Sequence, residues 1–134
     1  MILASLQGLP AFILYFCVAS IAVCLYLFVY MRITAHDELA LVRANVPGAA
    51  VALGGSLLGF ALPLASAIGH SSDILDCAIW SFIALCVQVI VYYGARIPVN
   101  DLSQRIAAGE LAPALWLGFA SVTAGIISAA SMSY

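Results

Sequence analysis

His36, Asp37 and Glu38 stand consecutively in a chain otherwise poor in charge, and an imidazole beside two carboxylates is a donor set suited to a divalent cation. Neighbouring helical residues point in different directions, so three in a row do not converge on one ion. They read better as the start of an interfacial helix whose acids dock onto nearby arginines. A second polar cluster holds His70, Ser71, Asp73 and Asp76. His70 and Asp76 meeting across a tight loop would make a proton- or cation-capturing pore mouth, because carboxylates beside an apolar wall titrate high. The plainer reading is a solvated turn with an Asp near a helix N-terminus. Cys17, Cys24, Cys77 and Cys86 form no CxxC pair and lie in apolar stretches, where Cys packs as a small apolar residue. Phosphate loops, GxSxG elbows, HExxH pairs and basic nucleic-acid patches are missing. No metal, no cofactor, no nucleic-acid partner and no enzymatic activity are expected.

The remaining polar residues sit singly inside apolar sequence: Ser56, Ser66, Gln88, Ser121, Thr123 and Ser128. With His70 and Asp76, these are the residues that would line a polar path. Gln88 is expected to hydrogen-bond a neighbouring helix. Pro63 should bend its helix and free a carbonyl near Gly59 that a Ser or another helix must satisfy. No Asp, Glu, Lys, Arg or His lies within the apolar stretches. Proton-coupled transporters usually embed one, and a four-helix multidrug exporter of this length would carry a Glu in its first span.

The elements that hold these residues are four uncharged stretches, 9–31, 44–69, 77–95 and 111–132. Crossing about 30 Å of hydrocarbon takes roughly 20 apolar residues in a helix. Hydrophobic residues make up 66% of the chain and charged ones 7%, with a mean hydropathy of +1.17. A soluble domain carries about 25% charged residues to face water. The expected fold is therefore an all-α membrane protein, one integral domain over 1–134 with four transmembrane helices. The first stretch is expected to stay as a helix and not act as a signal peptide, since no Lys or Arg precedes Arg32. Arg32, Arg43, Arg96 and Arg105 all fall in the first and third connections. Basic short loops stay cytoplasmic, so both termini are predicted outside, in the periplasm of a Gram-negative cell.

A gapless shift of 64 residues lays Arg32 on Arg96, Ile33 on Ile97, Asp37 on Asp101, Leu53 on Leu117 and Gly54 on Gly118. Coincidence of the scarce Arg and Asp points to an internal duplication of a two-helix hairpin, with units 9–69 and 73–133. Two spans per unit make this a parallel repeat. Helix association in lipid depends on close backbone approach. Ala50, Gly54, Ala61 and Ala65 share one face of the second span, and Ala114, Gly118, Gly125 and Ala129 are their counterparts in the fourth. Gly55 and Gly59 add a GxxxG pair. These stripes are expected to form an inner seam or an oligomer interface, with the aromatic first and third helices on the lipid side. Tyr26, Tyr30, Tyr92 and Tyr93 then read as headgroup-level anchors at one end, and Trp80 and Tyr134 at the other.

The first connection is predicted to carry a short interfacial helix with Thr34 as N-cap and Asp37 three residues on. Leu39, Leu41 and Val42 would form its apolar side. The third connection repeats this with Asp101, Leu102, Arg105 and Ile106, ending at Gly109. Together Arg32, His36, Asp37, Glu38, Arg43, Asn45, Arg96, Asp101 and Arg105 make a cytoplasmic interface.

The run over 36–80, HDELALVRANVPGAAVALGGSLLGFALPLASAIGHSSDILDCAIW, resembles the YjfL-like family of bacterial inner-membrane proteins, a family of unknown function. The most specific part is His36, Asp37, Glu38, Arg43, Asn45, Gly54, Gly55, Gly59, Phe60, Pro63 and Leu64. Family members often carry Asn and Cys where this chain has Ser128 and Ser131. The resemblance implies two consecutive two-helix units, an inner-membrane location, and a gene context linked to membrane-stress proteins and ATP-grasp amide ligases. It implies no established activity. The function expected is a non-enzymatic, self-associating inner-membrane module that engages a cytoplasmic protein partner, with a role in membrane stress. The alternative is a small channel or transporter, its path between the hairpins or along an oligomer axis.

Overall fold

A computed structural model describes residues 2–34 and 38–132. In chain order the helices are α1 (Ile2–Leu6), α2 (Leu9–Ile33), α3 (Glu38–Arg43), α4 (Pro47–His70), α5 (Ile74–Ala95), α6 (Leu102–Ala107) and α7 (Leu111–Ser131). The described residues contain no strand. Four helices, 2–33 and α4, α5 and α7, are long and apolar enough to cross a membrane.

Local chemistry sets the ends. Pro10 and Pro47 occupy the first turns of α2 and α4, where a missing N–H leaves no helical bond unmade. At the start of α5, the Asp73 carboxylate accepts from the Asp76 N–H at 2.8 Å, and the Asp76 carboxylate accepts from the Ser72 N–H at 3.1 Å. This reciprocal cap makes Asp73 and Asp76 the start of α5, while His70 and Ser71 close α4. Thr34 differs from expectation. It closes α2, with both its N–H and its hydroxyl donating to the Tyr30 carbonyl at 3.0 Å. A Thr hydroxyl can reach back to i−4 in its own helix, which here takes the place of capping forward. Asp37, its expected partner, lies outside the described residues, as does His36.

The two short helices end alike. After α3, the Asn45 N–H bonds the Val42 carbonyl and the Val46 N–H bonds Leu41; after α6, Gly109 bonds Ile106 and Glu110 bonds Arg105. Both are Schellman closures with a left-handed residue, Asn45 at φ 65° and Gly109 at φ 89°. Each long helix then begins two residues later. The docking differs, however. α6 buries Leu102, Ser103 and Ile106, whereas Leu39 and Val42 of α3 stay exposed.

Helices α4 and α7 form the central pair, with α5 laid across both and α2 against α5 and α4. Contacts advance together along α4 and α7: Gly48 against Ala114, Gly55 against Gly118, Gly59 against Ser121, and Ser66 bonded to Ala129. The two therefore run in the same sense. A Cβ on Gly55 would lie 2.5 Å from the Gly118 Cα, and one on Gly125 would overlap the Gly59 carbonyl. Only hydrogen atoms fit at these points, so the backbones themselves touch.

One aromatic expectation changes. Tyr26, Tyr30 and Tyr92 are buried, each about 2% exposed, while Tyr93 is exposed. Tyr26 stacks on Phe60 with ring centroids 4.6 Å apart, and Tyr30 meets Tyr92 edge-on at 6.0 Å. Depth along the helix suited these rings to headgroups, but their azimuth turns Tyr26 and Tyr30 toward α4 and α5 and Tyr92 toward α2 and α6.

Candidate functional site

Gln88 of α5 is a polar side chain inside the bundle, 1% exposed. Pro63 has no N–H, so the Gly59 carbonyl four residues earlier lacks its helical donor. The Gln88 amide nitrogen donates to that carbonyl at 2.9 Å and to the Ser121 carbonyl at 3.2 Å. One side chain thereby ties α4, α5 and α7 at their closest approach. The Gln88 carbonyl oxygen, and on α4 the Ser56 hydroxyl, are buried without a hydrogen-bond partner among the described residues.

The residues expected to line a path do not converge on one line. Gln88 and Ser121 come together at Gly59, in the seam where the α4 and α7 backbones are in contact, and Ser56 is buried on the same helix as Gly59. Thr123 is exposed on the outer surface. Ser66 donates to the Ala129 carbonyl at 2.9 Å, and His70 bonds the Ser66 carbonyl through Nδ1 at 2.9 Å. With Asp76 turned to Ser72, His70 and Asp76 are each engaged on their own side of the loop. The Gln88 region is thus a filled polar joint inside the bundle.

The packing residues also divide. Ala114, Gly118 and Gly125 are buried in the seam, Ala129 is half-buried, and Gly55, Gly59 and Pro63 oppose them from α4. Ala50, Gly54, Ala61 and Ala65 are all exposed, and nothing lies within 4 Å of a Cβ built on Gly54. The inner seam of α4 therefore uses Gly48, Gly55 and Gly59. The stripe through Gly54 is rotated outward by one residue, about 100°.

At the end that carries the connections, Arg32, Arg43, Asn45, Arg96, Asp101 and Arg105 are all exposed. Glu38 opens α3. Arg105 is paired with Glu110, its Nε and Nη2 donating to one carboxylate oxygen at 3.1 and 2.9 Å. The Glu110 hydrogen bond, then its charge, holds the Arg105 pKa above its ordinary value. Among the described residues no three of His, Cys, Asp and Glu converge on one point. Two useful partners carried no sequence signal: Ser103, whose hydroxyl meets the Tyr92 hydroxyl at 2.6 Å, and Trp116, whose indole N–H donates to the Ala95 carbonyl at 3.0 Å. The first docks α6 and the second closes the end of α5.

A family model described as Domain of Unknown Function (DUF350) matches residues 4–132. The chain belongs to the DUF350 family. This DUF350 chain is 36% identical over 129 residues to the UPF0719 inner membrane protein YjfL of Escherichia coli (strain K12), spanning 96% of this chain and 98% of the relative. The protein of the same name in Escherichia coli O157:H7 gives the same figures. The resemblance read from 36–80 is thus a family membership over nearly the whole chain. No solved structure matches the DUF350 chain.

Proposed function

We propose that this protein is a non-enzymatic module of the bacterial inner membrane that associates with further copies of itself through the outward face of α4. The location follows the naming of its YjfL relative and the four apolar helices. The observation that carries the association is the exposure of Ala50, Gly54, Ala61 and Ala65 on one helix face. In lipid such a stripe has little dispersion contact with acyl chains, whereas a second helix can approach it closely. The seam inside the chain already uses the other small face of α4, so the outward stripe is spare.

The fold is proposed to be a duplicated hairpin, units 9–69 and 73–133. Support comes from the matching Schellman closures at Asn45 and Gly109 and from the shared direction of α4 and α7. The connection end, with Arg32, Arg43, Arg96 and Arg105 exposed, is proposed to face the cytoplasm, where its charges suit a protein partner. A role in membrane stress belongs to the same proposal and rests on the family resemblance.

Gly54→Leu tests the association because it fills the outward face and leaves the inner seam alone. The detergent-solubilised protein should shift from oligomer to monomer while keeping its helical content, and its thermal midpoint should lose the dependence on protein concentration that association gives the parent. Unaltered migration of the variant would sink the proposal.

A further inference from the structure

At the connection end of α5 the chain leaves the apolar zone through Tyr93, Arg96, Ile97, Asn100 and Asp101, which border a shallow, open and mainly polar recess of about 610 Å³. Arg96 places its guanidinium 5.8 Å from the centre of the Tyr93 ring, a cation–π contact at the level where aromatic rings meet headgroups. It forms no ion pair among the described residues. Asp101 stands across the recess in a left-handed conformation, φ 57°, and its carboxylate makes no capping bond to α6 although it occupies the N-cap position. The other nearby cation, Arg105, is already held by Glu110, and Asp101 acts on it only through space. One unspent positive and one unspent negative group therefore share a single polar hollow. Beside it, Ile90 on α5 and Ile97 in the turn that follows are 69% and 82% exposed, leaving exposed apolar surface next to the hollow.

We infer that this recess binds the headgroup of a zwitterionic phospholipid, its phosphate on Arg96 and its ammonium on Asp101, with an acyl chain along Ile90 and Ile97. A guanidinium offers forked N–H donors to phosphate oxygens. A primary ammonium finds a carboxylate and an aromatic ring within the same hollow. An anionic headgroup with no ammonium would satisfy Arg96 and leave Asp101 opposed by like charge. The opposed charges thus favour a phosphatidylethanolamine type of headgroup over a phosphatidylglycerol type.

Native mass spectrometry of the full chain in detergent, with phosphatidylethanolamine and phosphatidylglycerol of matched acyl chains added in equal amounts, tests this assignment. Bound phosphatidylethanolamine should predominate, and Arg96→Gln should weaken it about fivefold, the effect of one basic group at a membrane surface. Asp101→Asn should weaken phosphatidylethanolamine and spare phosphatidylglycerol, since Asn tolerates the left-handed backbone. Arg32→Gln, which removes an exposed arginine over Phe28 in the first half, should change neither. Equal retention of the two lipids, or equal loss in Arg32→Gln and Arg96→Gln, would mean ordinary annular lipid and overturn the site. Displacement by water-soluble glycerophosphoethanolamine at the lipid's own concentration would show a soluble-ligand site and overturn the lipid assignment. If Arg96→Gln melts below the parent, Asp101→Asn decides alone.

Discussion

The side-chain amide of Gln88 donates at 2.9 Å to the carbonyl of Gly59, the group that Pro63 leaves without a donor in its own helix. A proline inside a spanning helix creates an orphan acceptor where no water is available, and a neighbouring helix supplies the donor. The same amide reaches Ser121, so the break in α4 becomes the point where three helices are fastened.

Gln88→Leu should lower stability by about 1 kcal/mol, the scale of interhelical hydrogen bonds in membranes. Pro63→Ala returns an N–H to Gly59, so in that background Gln88→Leu should cost less. A double-mutant cycle followed by thermal unfolding in detergent measures the coupling. Strict additivity would show that Gln88 does not act through the orphaned carbonyl.

Glycines on the two faces of α4 should respond oppositely. Gly59→Ala and Gly125→Ala force a methyl group into a facing backbone and should each cost about 1–3 kcal/mol. Gly54→Ala meets open space within the chain and should leave the fold of the single chain within about 0.5 kcal/mol of the parent. Thermal midpoints of the three variants in one detergent check the ordering. A Gly54→Ala loss equal to that of Gly59→Ala would contradict it.

The turns after α3 and α6 carry left-handed residues of different type. Gly109→Ala places a Cβ at φ 89° and should destabilise by about 1 kcal/mol or more, whereas Asn45→Gly should be neutral or slightly stabilising. Unfolding midpoints distinguish them, and equal losses would mean that the turn conformation is not the constraint.

Tyr92→Phe removes the bond to Ser103 and leaves the ring packed against Tyr30. Amide exchange across Leu102–Ala107 should speed up while the α5 amides stay protected, because the hydroxyl holds α6 and not α5. Unchanged exchange in α6 would assign its docking to Leu102 and Ile106 alone.

Glu110→Gln breaks the pair with Arg105, whose side chain is 44% exposed. Glu110 raises the Arg105 pKa, so this contribution is complete below the ordinary arginine pKa and fades only as pH climbs through the raised value. Around neutral pH, Arg105 titration should therefore leave the difference between variant and parent flat. Because exposed pairs are weak and screened, any midpoint difference should vanish near about 1 M salt. A difference that persists at high salt would count against a surface pair.

Span positions, the orphaned carbonyl beside Pro63 and a bond from Gln88 to a neighbouring helix were readable from residue types alone, because each follows from backbone chemistry and helix length; that Gln88 is the donor to that carbonyl was decided by packing. Family membership was readable too, from the run over 36–80. Azimuth was not. These helices are apolar on every side, so no amphipathic pattern says which face turns inward. α4 carries two small-residue faces one step apart, and only packing against α7 selected Gly55 and Gly59 for the seam and left Gly54 outside. The same ambiguity hid the burial of Tyr26, Tyr30 and Tyr92. A bilayer dictates how long a helix must be and where its charges stop, but it is indifferent to rotation about the helix axis. That rotation is decided by which backbones can touch.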